Sequence, residues 1–173
     1  MTTEITAEEI KKLLGLQELQ FEGGFFRQTY VSPDMLQKEQ LPGRYRDSRP
    51  FATAVFYLLT ADSFSAFHRL LTDEIYHHYL GDAAELHELH PDGSASTTLL
   101  GPDLAAGQQV QHLVPHGVWQ GSRVTTGGTW TLLGTTMAPG YTQDDFELGH
   151  ATHLISEFPA QEDLIRQLTR ANN

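Results

Sequence analysis

Between His68 and Gly81 the chain reads HRLLTDEIYHHYLG. A histidine and a glutamate flank the step Leu71-Thr72 between two runs of β-forming residues, the pattern of a strand, a turn and a second strand. Across such a ladder His68 and Glu74 can meet. A carboxylate beside an imidazole fixes its tautomer and raises its basicity, which suits a general base near neutral pH. The same pair also serves simply to satisfy two buried polar groups. Strict alternation puts Tyr76 and His78 on the face of Glu74, and Asp73, Ile75 and His77 on the other; a bulge near the turn inverts this.

Working outward, the texture repeats. Short runs rich in Phe, Tyr, Val, Thr and Leu are separated by Gly, Pro, Asp and Ser clusters, and they predict strands over Phe25–Tyr30, Phe51–Leu59, Ser65–Leu70, Glu74–Leu80 and Ala84–Leu89. Further strands are predicted over Ser96–Leu100, Gln108–Val114, Trp119–Thr125 and Thr129–Met137. Gly81-Asp82, Pro91-Asp92-Gly93, Pro115-His116-Gly117 and Gly127-Gly128 supply the hairpin turns. The fold class is therefore all-β, two facing antiparallel sheets in a sandwich or barrel. Alternate side chains of such a barrel converge on one interior, with Trp119, Trp130, Phe56 and Tyr57 read as its filling or as an aromatic wall for a ligand. The polar stretch from Val31 to Arg49 is expected to lie over one mouth.

The two ends read differently. Thr6 with Glu9 three residues on forms a capping box, Ile10, Leu13 and Leu14 make one apolar face, and Gly15 is a stop, so a short peripheral helix opens the fold. Leu164, Ile165 and Leu168 predict a second peripheral helix between Pro159 and Arg170. With 173 residues and no linker or repeat, residues 1–173 are read as one domain.

Composition narrows the function classes. A net charge of -11 opposes binding to nucleic acid or an anionic membrane, although Arg27, Arg44, Arg46, Arg49 and Arg69 leave a small anionic ligand open. No cysteine is present, so any metal must use His, Asp or Glu. No run approaches the ~18 apolar residues of a membrane span. The opening MTTEITAEEI is acidic where a secretory signal is basic, and the expected location is cytoplasmic.

The spacing of His68, Glu74 and Gly81 resembles the first motif of cupins, His-x-His, three or four residues, Glu, six residues, Gly, with Leu70 where the second His belongs. The second cupin motif, Pro-x-Gly, two residues, His, is similar to Pro115-His116-Gly117 followed by Gln120 in the final position. The strings Glu22–Phe26 (EGGFF), Phe67–Leu70 (FHRL), Asp73–Asp82 (DEIYHHYLGD), Val114–Gly121 (VPHGVWQG) and Ala138–Leu148 (APGYTQDDFEL) resemble the uncharacterised Cupin 5 family. Members of that family show Trp-His-Phe where this chain has Tyr76-His77-His78, so His77 is the family-like histidine. The resemblance implies a cupin-type double-stranded β-helix, a jelly-roll-like barrel, commonly a homodimer and without a settled reaction.

It also implies a pocket with His68 and Glu74 as catalytic candidates and Gln120, His77, Tyr76 and Trp119 as ligand-binding candidates. A divalent metal is left open, with His68, Glu74 and His78 as its ligands; Leu70 cannot ligate, and Gln120 offers only a neutral amide oxygen. His87, His90, His150 and His153 are read as solvated surface histidines, and His112 as core or cavity wall. Asp144, Asp145 and Glu147 are read as a solvated acidic loop. The expected function is small-molecule binding, with a metal-independent isomerase or epimerase acting on a sugar-like or carbonyl metabolite. The alternatives are a non-catalytic metabolite-binding module and a metal-dependent oxygenase or isomerase with a reduced ligand set.

Overall fold

The computed structural model describes residues 5–170; residues 1–4, the start of the acidic opening stretch, and 171–173 lie outside the described residues. The capping signal operates as read. Helix α1 (Ala7–Leu14) begins where the Thr6 hydroxyl accepts from the Glu9 N–H at 3.3 Å and the Glu9 carboxylate accepts from the Thr6 N–H at 2.8 Å. It ends at Gly15, whose φ of 62° suits a residue without a side chain. Its Ile10 packs with Leu58 and Leu132.

The predicted period-two runs all form strands. In chain order these are β1 (Gln17–Glu18), β2 (Phe25–Val31), β3 (Met35–Leu36), β4 (Arg49–Pro50), β5 (Thr53–Thr60), β6 (Phe64–Arg69) and β7 (Glu74–Gly81). They continue as β8 (Ala84–Leu89), β9 (Ala95–Leu100), β10 (Gln111–Val114), β11 (Trp119–Val124), β12 (Trp130–Met137) and β13 (Glu147–Leu148). One sheet has the order β1-β2-β5-β12-β7-β10, the other β13-β6-β11-β8-β9, and β3 pairs β4. Every strand pair is antiparallel. The all-β class is borne out. Strand β10 starts later than predicted because the Gln108 side chain closes a loop, accepting from the Asp103 N–H at 3.0 Å.

Between the sheets lies a core of Leu59, Leu86, Leu100, Val114, Val118, Val124 and Leu133, continued by Tyr57 and Tyr76. Outside the smaller sheet sits a second one. Trp119, Phe67 and Leu89 meet Leu154, Phe158, Ile165 and Leu168, which come from α2 (Ala151–Glu157), α3 (Glu162–Gln167) and their flanks. The stretch from Pro159 thus holds the expected helix, α3, while α2 just before it was not predicted; together they cover the outer face of the smaller sheet. Trp119 and Trp130 both belong to clusters on outer sheet faces, so of the four aromatics expected as filling only Tyr57 belongs to the interior. Among the described residues no helix is long and apolar enough to cross a membrane.

The acidic loop is also a correction. Asp145 is buried and accepts from Arg49 Nη2 at 3.0 Å, with Arg49 only 1% exposed. Tyr45 lies under the Arg49 guanidinium and bonds Thr72 at 2.8 Å, so the stretch from Val31 to Arg49 buttresses the segment 141–146 rather than lining the barrel mouth itself. Removing one member of a buried ion pair strands the other charge. Asp145→Ala should therefore cost roughly 3–5 kcal/mol in urea unfolding; a loss below ~1 kcal/mol would mean that Arg49 finds water or another partner.

Candidate functional site

Strand parity builds the site. On β11, Trp119 faces out and Gln120 in; on β6, Phe67 faces out and His68 in, and Gln120 and His68 are register partners. Glu74 and Tyr76 on β7 pair with Met137 and Thr135 on β12, on the inner face of the opposite sheet. His68, Glu74, Tyr76 and Thr135 line one cavity of about 270 Å³. Phe26, Val55 and Tyr57 add wall, while Glu22, Phe21, Tyr141, Gln143 and Phe146 come from the segments before β2 and after β12.

The contacts fix each group. His68 Nδ1 lies 2.8 Å from the Ala66 carbonyl, and its ring stacks on Phe146 with centroids 5.2 Å apart. Gln120 Nε2 donates to Glu74 Oε2 at 2.7 Å, and the Thr135 and Tyr76 hydroxyls lie near this carboxylate. Ser65 donates to Glu22 at 2.7 Å, and Tyr57 donates to the Gly23 carbonyl at 2.8 Å.

Burial pushes the Glu74 carboxyl above its ordinary value; the nearby His68, Thr135 and Gln120 pull it back, and Glu22 adds to the rise. Burial and then Glu74 raise the Tyr76 hydroxyl, burial and then Glu22 raise that of Tyr57, and burial and then Glu22 push Tyr141 up to about 12. All three tyrosines are therefore hydrogen-bond donors at neutral pH.

The structure does not bring every candidate to the cavity. Gln120 sits behind Glu74 rather than on the surface, 1% exposed, with its Oε1 buried and unpartnered. Trp119 is turned to the helices because it neighbours the inward Gln120. His77 is on the outer face, bonded to Thr136 and Gln111 and stacked on Tyr79. His78 does share the inner face, pairing with Leu133, because the bulge comes later, at Tyr79. It nevertheless lies four residues along the strand from Glu74, about 13 Å, and bonds the Asp82 carbonyl. The proposed metal ligands His68, Glu74 and His78 therefore cannot share one ion, whose donors lie within roughly 2.0–2.6 Å of it. Among the described residues no three His, Asp or Glu side chains form a metal-holding group, and Leu70 lines the cavity where a cupin carries its second histidine. The donor set does not fit a divalent metal.

Of two further histidines, His87 departs from expectation and His112, expected as core or cavity wall, follows it. His87 is buried, bonded to Thr97 and Glu85, and burial lowers its pKa. His112 points inward opposite Tyr76 and bonds the buried Glu88 at 2.7 Å. Sequence reasoning missed Glu22, Tyr141 and Phe146 as cavity residues; their one signal was membership of the EGGFF and APGYTQDDFEL strings, since neither segment is a long strand with a readable parity.

The Cupin_5 family model, described as Cupin superfamily (DUF985), matches residues 8–149. The uncharacterized protein YML079W of Saccharomyces cerevisiae is 29% identical over 135 residues, 73% of this chain and 65% of the yeast protein, so the chain spans less than two thirds of that relative. Protein SO0799 from Shewanella oneidensis is 32% identical with a TM-score of 0.86, covering 97% of this chain and 99% of that one. A hypothetical protein from Leishmania major is 27% identical with a TM-score of 0.87, covering 96% and 100%. Oxalate decarboxylase from Bacillus subtilis shares the fold alone, at 12% identity and a TM-score of 0.52 over 88% of this chain and 37% of its own. With the barrel, His68 and Glu74 on one cavity and a family match over most of its length, the chain belongs to the Cupin_5 family of the cupin superfamily.

Proposed function

We propose that the cavity binds a small metabolite and carries out metal-independent acid–base chemistry on it, moving a proton beside the carbonyl of a sugar-like or carbonyl compound. The observation that carries this reading is the bond from His68 Nδ1 to the Ala66 carbonyl at 2.8 Å. A carbonyl only accepts, so Nδ1 bears the proton, and the neutral ring holds its lone pair on Nε2. The backbone thus orients the ring, a task the sequence had assigned to Glu74. Glu74 becomes the second proton-carrying group, its burial favouring the protonated form. Tyr141, whose hydroxyl otherwise donates to the exposed Gln143 at 3.3 Å, turns its O–H toward the negative charge that develops on the carbonyl oxygen when a neighbouring proton leaves.

The test is isotope exchange. The protein is incubated in D2O with a panel of small ketoses, keto acids and hydroxyketones, and deuterium uptake beside the carbonyl is read by mass spectrometry. Catalysed exchange should fall at least ~10²-fold in His68→Gln, with unchanged circular dichroism. Binding without exchange would make the protein a metabolite-binding module instead, and exchange that survives His68→Gln would remove the base.

Glu74 gives an independent check through stability. Its folded-state pKa is raised, so its stabilising contribution is complete below the ordinary value near 4.5 and is lost as pH rises through the folded value. Glu74→Gln keeps an acceptor for Gln120 and removes the titration. Relative to the parent, the variant should gain stability as pH rises above about 4.5 in urea unfolding; a difference that stays flat or falls would contradict the shift.

The reading extends to a homodimer. Exposed apolar side chains sit at the sheet edges, Leu113 on β10 and Leu99 on β9, with Leu80 on the adjacent β7, and edge strands favour pairing. Light scattering should give about twice the chain mass of 19.3 kDa; the mass of one chain at micromolar concentration would refute it.

A further inference from the structure

Two carboxylates, Glu22 and Glu74, face the cavity, and among the described residues no lysine or arginine does. The arginines that left an anionic ligand open are committed elsewhere. Arg49 is paired with Asp145 and Arg69 with Glu147; Arg44 donates to the Leu71 carbonyl at 2.8 Å; Arg27 lies against Phe56, and Arg46 is exposed. An anion entering this cavity would lose its hydration opposite like charge with no cation to receive it. Among the described residues His68 is the one lining group able to turn positive, and Glu74 already lies within its field.

The remaining wall suits the opposite charge. Phe21, Phe26, Tyr57, Tyr141 and Phe146 line the same space, and the faces of aromatic rings attract cations, most strongly where water is excluded. The chain's net charge of -11 raises the local concentration of cations around the mouth. A bare metal ion does not fit the donors, and the aromatic wall calls for a carbon frame.

We infer that the cavity selects a small organic cation, whose ammonium or guanidinium group pairs with Glu22 and donates a hydrogen bond to Glu74 while its carbon frame lies on Phe26, Tyr141 and Phe146. The inference rests on the reading of this cavity as the ligand site, and it narrows the substrate class to amino-substituted compounds. Glu22, outside both cupin motifs, is then the residue that sets charge specificity.

Two matched sets test it by calorimetry and ligand-observed NMR: glucosamine, glucose and gluconate, and benzylamine, benzyl alcohol and benzoate. In at least one set the amine should bind at least tenfold tighter than its neutral and anionic counterparts. Glu22→Gln, which keeps an acceptor for Ser65, should erase most of that advantage and leave the neutral compound unaffected. A neutral or anionic compound that binds as tightly as the amine, or an advantage that survives Glu22→Gln, overturns the cation assignment alone. Gln143→Trp separates the two claims, because Gln143 is an exposed rim residue and a large ring there plugs the mouth without touching the core. Binding that is indifferent to Gln143→Trp, or no binding by any of the six compounds, overturns the site together with the inference.

Discussion

Gln120 reaches across the barrel interior from one sheet to set its Nε2 2.7 Å from the Glu74 carboxylate on the other, and much of the molecule is arranged around that bond. Placing a carboxylate inside a barrel costs several kcal/mol unless donors surround it. Gln120 meets that need directly, with the Thr135 and Tyr76 hydroxyls beside it. Because side chains alternate along a strand, directing Gln120 inward directs Trp119 outward. An exposed tryptophan face beside Phe67 and Leu89 then needs a cover, which α2 and α3 provide.

The same bond explains how a cupin interior can be reorganised. At two of the four positions where a cupin carries metal ligands, this chain has Leu70 and Gln120. Leu70 becomes wall, and Gln120 uses its amide on Glu74. The two ligand-type residues that stay, His68 and Glu74, acquire different roles from different surroundings. His68 is held by a backbone carbonyl and a stacked ring, while Glu74 is held by side-chain donors and shifted upward by burial. A ring with its tautomer fixed beside a carboxyl whose protonated form burial favours is a pairing suited to acid–base chemistry.

The rim is a separate layer of construction. Tyr141 and Phe146 come from a segment clamped by the buried Asp145–Arg49 pair, which anchors it to the stretch before β5. Glu22 comes from the turn before β2 and is tied by Ser65 to the wall of the smaller sheet. Cavity shape thus depends on loops whose own anchors lie outside the barrel interior.

Hydrophobic alternation and turn chemistry are local properties, and they were legible: nine predicted strands, the Thr6–Glu9 cap and the inward phase of Glu74, Tyr76 and His78 follow from neighbours in the chain. The spacing of His68, Glu74 and Gln120 likewise indicated three residues that come close. Which face of Trp119 would be covered, and that Asp145 would be buried, depended on partners 35 residues or more away, Leu154 and Arg49, whose approach no period reports. Tertiary structure alone also decided that His77 lies outside the cavity, that His78 sits too far along the strand to join Glu74, and that Glu22 faces the ligand space. A strand's period fixes which way a side chain points, but what it meets there is set by the packing of distant segments, and that is where ligand chemistry is decided.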